Sequence, residues 1–513
     1  MSKRFAISLF FCFIISFCDA QPKENGFILK ASSFKHYVDY FNRMEDENIK
    51  QAMPNDSAWV WMKRNIPLFE CPQQNFEELF YFRWWTLRKH IKKTEKGFVF
   101  TEFLVQRSYA DKYNLISSAL GHHIYESRWL HDKKYMDDDL YVWLRGNNGK
   151  PMNKLRFYSG WYTDAIYNRY LVNGDKKFIT DLLPDLENDF AAWEQEKKSP
   201  NGLFWQYDVR DAMEETISGG RKEKNPRPSI NGYMYGNAKA LEQINIITGN
   251  GRKGYYYKLK ADTIKLLLQS KLWSSNHNFF EVRKEQGDTL ANVKEEIGFI
   301  PWYFNMPDSN YNIAWQSLID KKTFRAPFGI TTADRSHPQF RTHGCCNCEW
   351  DGAVWPFATS QTLTAMANLL NNYKQEYVAD SNYFDLLETY VESQYYRGRP
   401  YVGEYLDEKT GYWLKGDEER SRYYNHSTFN DLMITGLVGL RPRPGDIIEV
   451  NPLLPDNKWD WFCLDNILYH GRIITIIWDK DGTKYKKGKG LLVFANGKKV
   501  ASSDKLSKVT GKL

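Results

Sequence analysis

Between about residue 33 and residue 440 the chain alternates amphipathic helical segments with short glycine-containing breaks, and this alternation restricts its fold more than any other feature. In KKFITDLLPDLENDFAAWEQE, Phe178, Leu182, Leu186, Phe190 and Trp193 recur at spacings of three and four and make one apolar stripe. SQTLTAMANLLNNY repeats the pattern with Leu363, Met366, Leu370 and Tyr373. STFNDLMITGLVGL repeats it with Phe429, Leu432, Met433, Gly436, Leu437 and Leu440, behind a Ser/Thr start that suits an N-cap. LVNGDKKF and ITGNGRKGYYY read as C-cap turns between consecutive helices.

About 400 residues of this kind make roughly a dozen helices, too many for a simple bundle. Tight and long connections alternate, as in an array of helical hairpins. The economical solution is mainly α: an (α/α)6 barrel, or six-hairpin toroid. An open solenoid is the alternative, although no fixed-period sequence repeat is present. After GLRPRPGD the texture changes. IIEVNPLL, FCLDNILYHGRIITIIW and KGLLVFANGKKVA are rich in β-branched and aromatic residues and carry Asp-Gly and Asn-Gly turn pairs. The expected organisation is a leader over residues 1–20, a helical domain over 21–440 and a small β-rich module over 441–513.

The leader has Lys3 and Arg4, then the apolar run FAISLFFCFIISF, then CDA ahead of Gln21, the order of an export signal. The run is short for a membrane span. The residues before Cys18 match poorly the small residues that a lipidation signal needs, so a periplasmic or extracellular soluble protein is expected. Its charge of +7 is spread along the chain and accompanies no nucleic-acid-binding module. Aromatic residues make up 16% of the chain, with 18 Trp and 33 Tyr, which suits stacking on flat polar ligands such as sugars.

Two acidic loops stand out between the helices. FWQYDVRDAMEETISGG holds Asp208, Asp211, Glu214 and Glu215 among aromatics, and RPYVGEYLDEKTGYWLKGDEE holds Glu404, Asp407 and Glu408. Singly, each acid reads as a solvated loop charge. Together, on facing walls of a barrel, they supply what glycosidic hydrolysis needs: one protonated carboxyl to release the leaving oxygen and one ionised carboxylate. Burial raises the pKa of the first, and a polar setting keeps the second charged.

EWDGAVWPFATSQTLTAMANLL, DAMEETISG and GEYLDEKTGYW…NHSTFNDLMITGLVGL resemble the sugar-site and catalytic segments of mannosylglycerate-hydrolase-like enzymes, within the wider glycoside hydrolase family 63 group. That resemblance implies an inverting, metal-independent (α/α)6 glycosidase without a cofactor, acting on a small α-linked glycoside. The group's Trp-x-Gly-Pro-x-Trp-Pro segment falls on Trp350, Asp351, Gly352, Ala353, Val354, Trp355 and Pro356. Its general-acid segment falls on Ala212 to Thr216, with Glu214 where the group carries Asp and Asp211 as the fallback. Its general base falls on Glu404, ahead of Thr410 and Gly411. An inverting pair stands about 6.5–9.5 Å apart.

Further candidate sugar contacts are Trp161 with Asp164 on one helical face, Tyr235 and His426 near the acid loops, and Arg83 and Trp84 in ELFYFRWWTLRKH, where core packing is the competing reading. His122 and His123 are adjacent on a helix and point different ways. The stretch HGCCNCEW leaves three readings open for Cys345, Cys346 and Cys348: free thiols, a disulfide, or a metal site with His343. Two rival functions keep the fold. A polysaccharide lyase would use Tyr235, Tyr423, Tyr424 or His426 to abstract a proton, and a non-catalytic glycan-binding protein would use the aromatic pocket alone. The oligomeric state has no signature in the sequence.

Overall fold

The computed structural model describes residues 26–342 and 348–513. The leader over residues 1–20, and with it Cys18, lies outside them, as do His343, Cys345 and Cys346. Among the described residues, six helices form an inner ring: Leu120–Ser127, Tyr162–Asn173, Pro228–Ile247, Ile300–Tyr303, Pro356–Asn372 and Asn430–Leu432. Each touches the next and the last touches the first, so the array closes. The fold is the expected (α/α)6 barrel.

Inner helices are enclosed on nearly every side, and every residue of Leu120–Ser127 is buried. Outer helices such as Lys176–Lys197 have one wet face and so carry the clean stripes, whereas Gln74–Lys89 is buried all round from Leu79 onward. In Lys176–Lys197 the residues Leu182, Leu186, Phe190 and Trp193 are buried and Phe178 is partly covered. Gly174, in the left-handed region at φ 68°, ends helix Tyr162–Asn173 as the C-cap turn expected there. Arg145 of outer helix Lys134–Arg145 reaches Asp181 at 2.7 Å and Asp185 at 2.6 Å, tying two outer helices together.

The third stripe departs from expectation. Only Asn430–Leu432 is α-helical, and Met433–Leu437 widens into a π turn. Its Ser/Thr start caps nothing. Instead the carboxylate of Glu126, on the first inner helix, accepts from the backbone N–H groups of Phe429, Asn430 and Asp431 at 2.9–3.3 Å. Asp431 then takes Arg128 Nε at 2.8 Å and Trp129 Nε1 at 2.7 Å.

In the C-terminal module the strands pair antiparallel in the order Leu68–Glu70, Trp461–Tyr469, Arg472–Asp479, Gly490–Ala495, Lys498–Ser503. Asn496 and Gly497 both have positive φ, 49° and 79°, as a two-residue hairpin turn requires. The edge strand Leu68–Glu70 comes from the N-terminal part of the chain, which the sequence pattern did not foretell. A stretch still nearer the N-terminus is stitched on by Asp465, whose carboxylate accepts from Ile28 N at 2.6 Å and Leu29 N at 2.8 Å. No helix among the described residues is long and apolar enough to cross a membrane.

Replacing Glu126 by Ala leaves those three backbone donors buried without an acceptor. The expected result is a loss of about 2–4 kcal/mol of stability, read from urea unfolding followed by tryptophan fluorescence.

Candidate active site

Segments leading into five inner helices converge on one rim of the barrel. They carry Ser118, Tyr158, Glu214, the pair Trp350 and Trp355, and the pair Tyr424 and His426. With Glu102, Arg107, Tyr109, Glu404 and Arg420 they line a cavity of about 430 Å³. Its size suits a mono- or disaccharide.

The aromatic wall is a ring stack. Trp350 and Trp355 lie 4.4 Å apart and 21° from parallel, and Tyr405 backs Trp355 at 4.7 Å and 15°. Trp355 Nε1 donates to the Glu349 carbonyl at 2.9 Å, which fixes the ring plane. Gly352 makes the loop possible, because a Cβ there would lie 1.8 Å from the carbonyl oxygen of Arg341.

Glu214 sits on a strained loop. Ala212 and Glu215, at φ 59° and 60°, are non-glycine residues in the left-handed region on either side of Met213 and Glu214. Met213 is buried and its N–H donates to Asp208 O at 3.1 Å, so the loop is pinned at its centre. Burial pushes the Glu214 carboxyl up to about 7, the charges of Glu404 and Asp208 add to the rise, and Arg221 opposes it.

Glu404, 2% exposed, ion-pairs with Arg420 Nη2 at 3.0 Å, and Arg420 Nε reaches Glu418 at 2.6 Å. Burial raises Glu404 to about 7 as well, while the Arg420 cation pulls it down. Cys348, a free thiol, stands 3.8 Å from Glu404 Oε1. His426 is buried against Tyr424, with ring centroids 3.8 Å apart, and burial beside His122 and Arg83 holds its imidazole neutral.

Of the residues singled out in the sequence, Glu214, Glu404, Trp350, Trp355 and His426 meet in this cavity. Tyr424 and Cys348, named there for other roles, line it too, whereas the remaining proposed catalytic and sugar-contact residues do not. The carboxylate of Asp211 is bound to Arg227 Nε at 2.8 Å and to the Ser229 hydroxyl, and that ion pair is wholly buried, so it anchors the Glu214 loop to inner helix Pro228–Ile247. Asp351 ion-pairs with Arg341 and faces a neighbouring cavity shared with Glu215 and Phe340. Trp161 is enclosed by His122, Tyr233 and Phe357 beneath the floor, and Asp164 accepts from the Tyr125 hydroxyl at 2.7 Å.

Tyr235, on inner helix Pro228–Ile247, is buried outside the cavity lining. Arg83 braces the His426 segment from behind, donating to Ser427 O at 2.8 Å, and Trp84 is a core ring against Phe80. Sequence reasoning missed Glu102, Arg107, Tyr109, Tyr158 and Arg420, and named Tyr424 only for the lyase reading. Glu102 had left a signal, one acid inside the apolar run GFVFTEFLV, whereas Arg420 hides in the charged run GDEERSR.

Two variants separate anchor from cavity residue. Asp211→Asn is expected to cost about 3 kcal/mol in urea unfolding by leaving Arg227 buried without its counter-charge, whereas Glu214→Gln leaves the unfolding free energy within about 0.5 kcal/mol of wild type.

Residues 112–427 match the family model of the mannosylglycerate hydrolase MGH1-like glycoside hydrolase domain, and residues 440–501 match the C-terminal domain of glycosyl hydrolase family 65. A solved chain named a sialidase is 60% identical with a TM-score of 0.93, over 95% of this chain but only 45% of its own length. The GH63 mannosylglycerate hydrolase from Thermus thermophilus, solved with glucose, is 11% identical with a TM-score of 0.51, over 69% of this chain and 98% of that one. At that identity the likeness is one of fold. An uncharacterized protein of Borreliella burgdorferi is 24% identical over 182 residues, 35% of this chain and 37% of that protein. The chain therefore spans less than half the length of the sialidase-named chain and of this curated relative. Because the first match covers more than half of its residues, the chain belongs to the MGH1-like glycoside hydrolase family.

Proposed function

We propose that the protein hydrolyses a small α-linked glycoside with inversion at the anomeric carbon, using Glu214 as general acid and Glu404 as general base. The observation that carries this reading is the convergence of two carboxyls, from loops on separate helical hairpins, on one sugar-sized cavity walled by stacked tryptophans. Glu214 gives its proton to the glycosidic oxygen as the bond to C1 breaks. Glu404 takes a proton from the water that attacks C1 on the opposite face. Arg420 favours the ionised form of Glu404, and burial, with no such ion-pair partner among the described residues, favours the protonated form of Glu214.

Support for the class comes from the family, whose name refers to mannosylglycerate hydrolysis, so α-mannosides lead the substrate panel. The sialidase name attaches to a chain more than half of which has no counterpart here, so sialosides enter the panel as competitors. The lyase reading loses ground: Tyr423 packs on Phe82 and Trp85 outside the cavity lining, and the Tyr424 hydroxyl is committed to Glu102. The leader over residues 1–20 supports action outside the cytoplasm, tested by fractionating cells that express the full chain.

Proton NMR of a panel of α- and β-linked aryl glycosides is expected to show one sugar released with inverted configuration. Glu214→Gln and Glu404→Gln should each lower kcat by roughly 10²–10⁴-fold. Retained configuration would overturn the inverting assignment. With both carboxyls raised to about 7 and coupled to each other, kcat/KM should trace a narrow bell centred near neutrality. The acid limb is set by protonation of the base. Removing the cation in Arg420→Ala raises that group's pKa, so the acid limb is expected to move to higher pH.

A further inference from the structure

Glu102 shares the cavity with Glu214 and Glu404, yet the two-carboxyl reaction gives it nothing to do. It follows strand Gly97–Phe100 and is 5% exposed, and both of its oxygens are held by hydroxyl donors. Oε2 accepts from Ser118 Oγ at 2.6 Å, and Oε1 accepts from the Tyr424 hydroxyl. The donors are themselves fixed. Ser118 lies in the turn that opens inner helix Leu120–Ser127, and the Tyr424 ring packs edge-on against Phe103 at 4.5 Å and His426 at 3.8 Å.

A carboxylate oxygen has two acceptor positions, so among the described residues one on each oxygen is left over. Keeping a buried carboxylate half-coordinated is costly unless donors complete it. The cavity's two arginines do not do so. Arg420 is engaged with Glu404 and Glu418, and the Arg107 guanidinium lies over the rings of Phe103 and Tyr109. Two donors side by side, spaced like carboxylate oxygens, describe the neighbouring hydroxyls of a sugar ring.

We propose that Glu102 is a substrate-contacting carboxylate that clamps two adjacent hydroxyls of the sugar, pre-aimed by Ser118 and Tyr424. The inference rests on the sugar-site reading of this cavity and goes beyond its two-carboxyl chemistry. It names the substrate class as glycosides with a free vicinal diol on the bound ring. It also makes Ser118 and Tyr424 positioning residues, since they act through Glu102.

Isothermal titration of the full chain with methyl α-mannoside, α-glucoside and α-galactoside, each with its 2-, 3- and 4-deoxy analogues, tests the clamp without requiring turnover. Wild type is expected to bind at least one parent glycoside. Glu102→Gln should weaken that binding on the order of 10²-fold. Deleting either of two adjacent hydroxyls should weaken wild type comparably but Glu102→Gln little further, because residue and hydroxyl form one interaction. Should Glu102→Gln fail to fold, Ser118→Ala carries the same comparison with a smaller loss. Unchanged affinity in the variant, losses that simply add, or no binding of any parent would each overturn the clamp. Binding with the expected coupling but no hydrolysis would count against the proposed reaction alone.

Discussion

One buried carboxylate holds the ring shut. The last inner helix, Asn430–Leu432, is a single turn that gives way at once to a π turn, so it has little capacity to hold itself in place. Glu126, from the first inner helix, accepts three of its orphaned N–H groups, and Arg128 and Trp129 from the same neighbourhood bind Asp431. First and last elements of a barrel, some three hundred residues apart in sequence, are thereby joined by hydrogen bonds to charged groups in a dry setting. Arg83 presses on the same junction from the outer helix Gln74–Lys89 through Ser427. His426 and Tyr424, which line the cavity, lie just upstream, so closure of the ring and shape of the site are one problem.

Closing the ring brings the lead-in segments of the inner helices to one rim, and the cavity is what they enclose. The same burial that shuts water out raises Glu102, Glu214 and Glu404 alike to about 7. Local partners then distinguish them: a guanidinium on Glu404, two hydroxyls on Glu102, and backbone strain around Glu214, which among the described residues has no cation in hydrogen-bond contact. Asp211 shows the cost of that arrangement from the other side. It lies three residues before Glu214, and the loop's attachment to inner helix Pro228–Ile247 consumes its charge.

Much of this was legible in the residues. The stripe through Leu182, Leu186, Phe190 and Trp193 named a helix correctly, because this helix lies in the outer layer with one wet face and one dry one. Asn496-Gly497 marked a hairpin because few other pairs accept two positive φ values. Sites on enclosed helices were harder. Trp161 caps one inner helix and Asp164 and Tyr235 lie on inner helices largely enclosed by their neighbours, where periodicity carries little information about which side meets the cavity. The Ser/Thr start before Phe429 looked like a cap, but a tertiary carboxylate took its place.

By itself the sequence determined the hairpin array, the change to β structure near residue 441 and the two acid loops with their Trp-rich partner, since each depends on neighbours within a few turns of chain. Only the tertiary structure decided which acids face the cavity and which anchor its loops, that Leu68–Glu70 completes the C-terminal sheet, and that Glu102 joins the site. Those outcomes depend on the rotation of each inner helix and on contacts between segments hundreds of residues apart. Packing and desolvation act on distances in space, and local sequence patterns do not contain them.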